Sequence, residues 1–353
     1  MLEIDGITKT FSGAPVVREA RFTVERGELV CLLGPSGCGK STLLRVISGL
    51  TDADAGAIRI DGTDMTAVAA NRRPTAMVFQ SHALWSHMTV AQNVGFGLRV
   101  RGLTRAEISA KVASVLDVVG LAAFGKRLPA ELSGGQAQRV ALARCLVVEP
   151  KVLLMDEPFS ALDAHLRKGL REELKALQRR LDLTTIFVTH DQEEAMELAD
   201  RIVVMQAGRV EQIGPPGNLY RNPQTLGVAQ FIGAMNTCTT ALRCGVVLWH
   251  GLALRLALPD GEAALLCRPE DLHITTTGAA ATVTQVIDLG PMTRVKLITP
   301  DGDLLTLTCP REEAPATGAD VRLSPRRLHV FRSGSLLGLI ETPCPVIREK
   351  ALT

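Results

Sequence analysis

Nine consecutive residues, Gly34-Pro35-Ser36-Gly37-Cys38-Gly39-Lys40-Ser41-Thr42, have the composition of a phosphate cradle. Their three glycines let backbone N–H groups turn inward around one anion, and a helix starting near Lys40 adds the partial positive charge of its N-terminus. Lys40 can bridge β- and γ-phosphates, and the Ser41 hydroxyl can ligate Mg²⁺. Cys38 contributes only its backbone, with its thiol close to the phosphates. The apolar run at 28–33 precedes the loop, and Leu43, Leu44, Val46, Ile47 and Leu50 follow at helical spacing. Strand, glycine loop and helix in this order are the required context of a Walker A motif.

A second constellation, Val152-Leu153-Leu154-Met155-Asp156-Glu157, places two carboxylates after four apolar residues. A strand of this kind, buried in an open α/β sheet, presents them at its carboxyl end, where such sheets bind ligands. Asp156 is expected to hold Mg²⁺, mostly through water, and Glu157 to polarise an attacking water. Two acids in a solvated turn are the plain alternative for the hexapeptide alone; beside a Walker A loop the nucleotide site is favoured.

These groups need a scaffold. Apolar runs at 28–33, 75–79, 152–155, 184–189 and 201–205 read as strands, several unbroken by polar residues, as expected of parallel strands buried on both faces. No strand is expected between 88 and 150, where Ile108, Val112, Val115 and Val119 recur at helical spacing. Residues 1–235 therefore read as an α/β domain with a helical insertion at about 88–150. Pro215-Pro216 and Asn222-Pro223 punctuate its end. From 236 to 353 the runs 263–267, 282–289, 294–299, 303–309, 322–323 and 327–331 are separated by Pro, Gly and Asp, the pattern of a small β-barrel.

Leu132-Ser133-Gly134-Gly135-Gln136 stands before a helical pattern that includes Val140, Ala143 and Val147. With this pentapeptide upstream of Asp156 at the family's usual interval, the chain resembles the ATP-binding cassette (ABC) ATPases. Other motifs follow in the family's order: Gln80 matches the Q-loop, Ser160-Ala161-Leu162-Asp163 the D-loop, and His190 the switch histidine. Phe11 occupies the place of the aromatic that stacks on adenine, though a plain core position is the alternative. An Asp191-x-x-Glu194 capping box behind the strand at 184–189 puts His190 beside the γ-phosphate.

The resemblance implies an α/β P-loop nucleoside triphosphatase with a helical subdomain, followed by a small all-β OB-like (TOBE) barrel. It implies ATP and Mg²⁺ as cofactors. Phe11, the loop from Gly34 to Thr42, Gln80, Ser133, Gly134, Gly135, Gln136 and Asp163 would meet the nucleotide. Ser41, Gln80 and Asp156 would meet the metal, and Lys40, Gln80, Glu157 and His190 would serve hydrolysis. Ser133, Gly134 and Gly135 open a helix and so form a second anion-binding surface. In the family that surface completes the site of the opposite subunit, which implies a head-to-tail dimer with a second copy of the chain.

Residues 231–236, followed by a β-rich tail with Arg268-Pro269-Glu270, resemble the cassette-plus-barrel subunits of bacterial importers for sugars, polyamines, ferric iron, phosphonates, sulfate or molybdate. This implies a peripheral ATPase on the cytoplasmic face of the inner membrane, two membrane permease subunits, and an extracytoplasmic solute-binding protein. Ser81-His82-Ala83-Leu84-Trp85-Ser86-His87-Met88 corresponds to the groove for the permease's coupling helix, with Trp85 and Met88 as apolar anchors. Trp85 packed inside the helical insertion is the alternative. His82 and Ser86 stand where relatives more often carry an aromatic and a proline. Sugar importers often read Gly-Ser-Pro-x-Met-Asn where this chain has Gly233-Ala234-Met235-Asn236. That difference favours polyamine, ferric iron or phosphonate as solute, with sugar or an inorganic anion as alternatives.

Composition excludes other classes. The 353 residues carry 39 Lys plus Arg against 37 Asp plus Glu, and no apolar run approaches the roughly 18 residues of a membrane span. Met1-Leu2-Glu3-Ile4-Asp5 has neither the basic nor the apolar region of a signal peptide. Residues 236–353 hold 12 basic and 12 acidic residues, with Trp249 and Phe331 as aromatics, so an OB-type nucleic-acid reader would lack phosphate groove and stacking platform. No nucleic-acid partner is expected; the tail reads as a dimer-stabilising or regulatory module. Eight cysteines without a CxxC pair suit neither a zinc knot nor a disulfide framework and fit a reducing cytoplasm.

Overall fold

The computed structural model describes residues 1–160, 164–256 and 258–341, with backbone alone at 164–166; Asp163 and Cys344 lie outside the described residues. The chain divides into two compact units, Met1–Leu219 and Tyr220 onward.

In the first unit the strands are β1 (Leu2–Phe11), β2 (Ala14–Val24), β3 (Leu29–Leu33), β4 (Ala55–Ile60), β5 (Thr63–Asp64), β6 (Thr75–Val78), β7 (Val152–Asp156), β8 (Thr184–Thr189), β9 (Arg201–Gln206) and β10 (Arg209–Gly214). The longer helices are α1 (Lys40–Ser48), α2 (Val90–Val100), α3 (Arg105–Val118), α4 (Gly134–Leu146), α5 (Ala164–Arg180) and α6 (Gln192–Leu198). One sheet runs β10-β9-β3-β8-β7-β6, parallel throughout except for β10 at the edge. β3 and β7 are buried at every position, which is why both read as unbroken apolar runs.

A four-stranded antiparallel sheet, β2-β1-β4-β5, lies outside the strands expected from sequence. The β1–β2 register shifts repeatedly between Ile4 and Thr10, so neither strand keeps an alternating pattern long enough to be recognised. Between β6 and β7 the described chain is helical, as expected. Thr89 and Thr104 cap α2 and α3, each reciprocated by the residue three positions on, Gln92 and Glu107. The C-terminus of α1 is held by Gly49 and by Arg73, whose guanidinium donates to the Val46 and Ile47 carbonyls. Among the described residues no helix is long and apolar enough to cross a membrane.

From Asn236 the second unit is all β. A four-stranded sheet joins Asn236–Leu242, Gly261–Cys267, Arg327–Arg332 and Ser335–Glu341. A five-stranded sheet joins Leu272–Thr275, Asp320–Pro325, Ala279–Asp288, Met292–Ile298 and Leu304–Pro310, and a hairpin pairs Val246–Trp249 with Leu252–Arg255. Trp249, Leu265, Val295 and Leu323 belong to one buried core that all three share.

Residues 220–235, grouped with the α/β domain on sequence, fall in this second unit. The buried Arg268 is the physical reason. Its guanidinium stacks on Tyr220 at 3.8 Å and donates to the carbonyls of Tyr220, Ile232 and Ala234. Without those acceptors a buried cation would stand unsatisfied, so the segment is tied to the β unit.

Candidate functional site

The Gly34–Gly39 loop leaves the carboxyl end of β3. Two of its glycines are required by close approach: a Cβ at Gly39, where φ is 98°, would lie 2.5 Å from the Val16 carbonyl oxygen, and one at Gly34 would lie 2.2 Å from that of Met205. Lys40 is buried, and its ammonium donates to the Gly34 and Pro35 carbonyls at 2.7 and 3.0 Å. Cys38 Sγ lies 3.7 Å from the same nitrogen.

Ser41 donates to the buried Asp156 at 2.8 Å, which joins the glycine loop to the end of β7. A hydroxyl and a carboxylate side by side are hard oxygen donors of the kind Mg²⁺ takes, so the pair fits that ion. Glu157 follows with φ at 45°, a left-handed conformation costing about 1–3 kcal/mol in a non-glycine residue and typical of functional positions. Its N–H donates to the Val188 carbonyl of β8. Gln80 Nε2, just past β6, donates to Glu157 Oε2 at 3.1 Å, and His190 Nδ1, just past β8, lies 3.1 Å from Oε1. Six expected residues scattered from 40 to 190 thus gather at the carboxyl ends of four neighbouring parallel strands.

The expected capping box behind His190 is only half made. Asp191 Oδ1 accepts from the Glu193 and Glu194 N–H groups, but Glu194 turns inward and accepts from the Thr189 hydroxyl at 2.7 Å. The Asp191 N–H goes to that same hydroxyl. Burial pushes the Glu194 carboxyl above the usual range, with the Thr189 hydrogen bond opposing.

Ser133 caps α4. Its Oγ accepts from the Gln136 N–H at 3.3 Å, while Gln136 Oε1 accepts from the Ser133 N–H at 3.0 Å, so the Gln136 amide serves the cap. Gly134 and Gly135 sit in the first turn, where N–H groups lie outside the helix's own ladder. No hydrogen bond among the described residues joins these four to the glycine loop of the same chain. Phe11, at the end of β1, is 47% exposed with Lys9 Nζ 5.4 Å from its ring, so it is not a core residue.

The loop 81–88 is shaped by a residue that no motif singles out. Asn93, fully buried on α2, donates to the carbonyls of Trp85, Met88 and Thr89 at 3.0–3.1 Å and accepts from the Trp85 N–H at 2.9 Å. Its signal in sequence is an amide set between Val90 and Val94 on an apolar helix face. Arg144 of α4 donates to the carbonyls of His82 and Ala83, both at positive φ. Trp85 is half-buried, with Phe96 at 4.4 Å and the Arg144 guanidinium 5.1 Å from its ring. Trp85 thus packs on the helical insertion without being fully buried there.

Comparison with known proteins matches this arrangement to relatives. A family model described as ABC transporter matches residues 17–160, and one described as TOBE domain matches 265–331. The sulfate/thiosulfate import ATP-binding protein CysA of Gloeobacter violaceus is 46% identical over 315 residues, covering 88% of this chain and 89% of its own. The protein of that name from Burkholderia mallei is 45% identical over 346 residues, covering 94% and 99%. Among solved structures, the ATP-binding cassette MJ0796, in a dimeric post-hydrolysis state bound to ADP and Pi, matches 61% of this chain and 99% of its own at 29% identity, with a TM-score of 0.55.

These relatives are named for sulfate and thiosulfate, inorganic anions of the kind the sequence kept as an alternative, and not for the expected polyamine, ferric iron or phosphonate. The clue behind that expectation is structural in origin. Asn236 pairs through its side chain with both backbone groups of Thr306, and Gly233 lies against Arg268 and Tyr220, so the segment bears on folding of the β unit. Identity sustained over nearly the whole of both chains, with both family models in order, leads to one assignment: the chain belongs to the ABC transporter family, as an import-type ATP-binding subunit with a C-terminal TOBE domain.

Proposed function

We propose that this subunit hydrolyses ATP to drive import of sulfate or thiosulfate. The two-sided grip on Glu157, beside the Ser41–Asp156 pair, supports the hydrolytic part. Relatives matching up to 94% of the chain support the solute. The Walker A N–H groups and Lys40 bind the β- and γ-phosphates of ATP, and Phe11 stacks on the adenine. Ser41, Asp156 and Gln80 would hold Mg²⁺, which would neutralise charge on the phosphate oxygens. Glu157 orients the attacking water and accepts its proton. His190 and Gln80 fix the plane of that carboxylate, so the proton acceptor stays aimed at one point.

Ser133, Gly134 and Gly135, with Gln136 behind them as part of the cap, close the site of a second copy head to tail. The dimer works on the cytoplasmic face of the membrane under two permease subunits, which meet the loop 81–88 through Trp85 and Met88. An extracytoplasmic binding protein presents the solute. The test is ATPase activity of the chain reconstituted with its permeases and binding protein. Sulfate or thiosulfate is expected to stimulate it several-fold; stimulation by a polyamine, ferric iron or a phosphonate, with none by sulfate or thiosulfate, would overturn the solute.

A further inference from the structure

We propose that Thr189 and Glu194 are positioning residues for hydrolysis: Glu194 fixes the Thr189 hydroxyl, and that hydroxyl sets the turn from which His190 reaches Glu157. This role rests on the reading of His190 as a partner of Glu157 in hydrolysis. The His190 side chain is 59% exposed, so packing does little to aim it, and its direction comes from the backbone that carries it.

That backbone is enclosed by a ring of three hydrogen bonds. The Asp191 N–H donates to Thr189 Oγ1 at 3.0 Å, the Thr189 hydroxyl donates to Glu194 Oε2 at 2.7 Å, and the Glu194 N–H donates to Asp191 Oδ1 at 3.3 Å. His190 stands between Thr189 and Asp191. A hydroxyl has a single hydrogen, and Glu194 takes it, which leaves the lone pairs of Oγ1 to the Asp191 N–H. Thr189 and Glu194 are 2% and 4% exposed, so water competes little for either bond. In the sheet Thr189 pairs with Leu33 of β3, the residue before the glycine loop, so the ring is registered to the phosphate cradle. Burying the Glu194 carboxyl is costly. An apolar side chain of similar length would fill the space without that cost, but could not accept from Thr189.

Steady-state ATP hydrolysis by the full chain reconstituted with its permeases tests the ring. Thr189→Val keeps the shape and removes the hydroxyl; Glu194→Met stays unbranched and removes the acceptor. Each should lower kcat by about tenfold or more with KM for ATP nearly unchanged, since a misplacement of about 1 Å can cost about 10²-fold. Thr189→Ser and Glu194→Gln preserve hydroxyl and acceptor and should stay close to wild type. In a His190→Ala chain, itself slow, Thr189→Val and Glu194→Met should cost nothing further, because residues that act through one another are not additive. A role in folding alone would add its loss to that of His190→Ala. Wild-type kcat in Thr189→Val or Glu194→Met, full additivity with His190→Ala, or equal losses in Glu194→Gln and Glu194→Met would overturn the proposal. Wild-type turnover in His190→Ala overturns the reading of His190 and the proposal with it, whereas a slow His190→Ala beside an undisturbed Thr189→Val removes the proposal alone. Each pair of variants decides by itself if a member of the other fails to fold.

Discussion

His190 Nδ1 lies 3.1 Å from Glu157 Oε1, on the side of the carboxylate opposite Gln80. The two flanking groups come off β8 and β6, the strands on either side of the one that carries Glu157. The carboxylate is therefore held by neighbours with fixed places in the sheet, and its left-handed backbone commits it to one direction.

Glu157→Gln preserves the shape of this arrangement and removes the proton acceptor. ATP hydrolysis should fall by about 10²–10⁴-fold, the usual contribution of a general base. ATP affinity should stay close to wild type, and an ATP-bound dimer should accumulate on size-exclusion chromatography. Phosphate-release assays and equilibrium nucleotide binding check both halves; wild-type turnover in the variant refutes the role.

Ser133→Arg puts bulk and charge on the signature surface. Hydrolysis should be abolished while ATP binding to the isolated subunit is retained, because Ser133 makes no bond to the glycine loop of its own chain. Loss of the cap by itself costs about 1 kcal/mol, too little to unfold the unit. Mixing this variant with Lys40→Ala chains should restore activity through heterodimers with one intact composite site. No recovery in such mixtures, with both variants folded, counts against action across the dimer.

Maleimide should react first with the exposed Cys244 and without loss of activity. Cys38 is buried 3.7 Å from the Lys40 ammonium, so it should react slowly and with stoichiometric inactivation. Cys38→Ala should be fully protected. Peptide mapping against residual activity decides; inactivation that tracks the Cys244 label contradicts the placement.

The inward-turned Glu194 gives a pH signature. Burial raises its carboxyl above the usual range, so the folded chain holds that proton more tightly than the unfolded chain does. Its contribution to stability is full below the ordinary glutamate pKa and is lost as pH rises through the raised value. Glu194→Gln keeps an acceptor for Thr189 and removes the titration. The Tm advantage of the variant over wild type should grow from pH 4 to pH 8, as read by differential scanning calorimetry. An advantage independent of pH excludes this account.

Much of the nucleotide site is legible in sequence because its parts are local. Lys40 is marked by the glycines around it, and Asp156 by the apolar run before it. Their meeting is another matter, since β3, β8, β7 and β6 are neighbours in space but not in order, and only the family resemblance predicts it. Asn93 escapes notice because its four bonds exist only once residues 85–89 curl back over α2. The β1–β2 pair is hidden by shifts of register, and the tie between Arg268 and 220–234 by its long reach along the chain. Gly233–Asn236 misleads for the same reason: its partners, Thr306 and Arg268, lie far away in sequence.

Neighbouring strands of a sheet lie about 4.8 Å apart. With Ser41 behind β3, His190 behind β8, Glu157 behind β7 and Gln80 behind β6, the reacting groups stand on four successive marks of a ruler graduated by peptide hydrogen bonds. The gauge is set by main-chain geometry, which every amino acid supplies alike. Interior side chains of these strands can drift without altering it, whereas a one-residue slip of any single strand would carry its own group out of line with the other three.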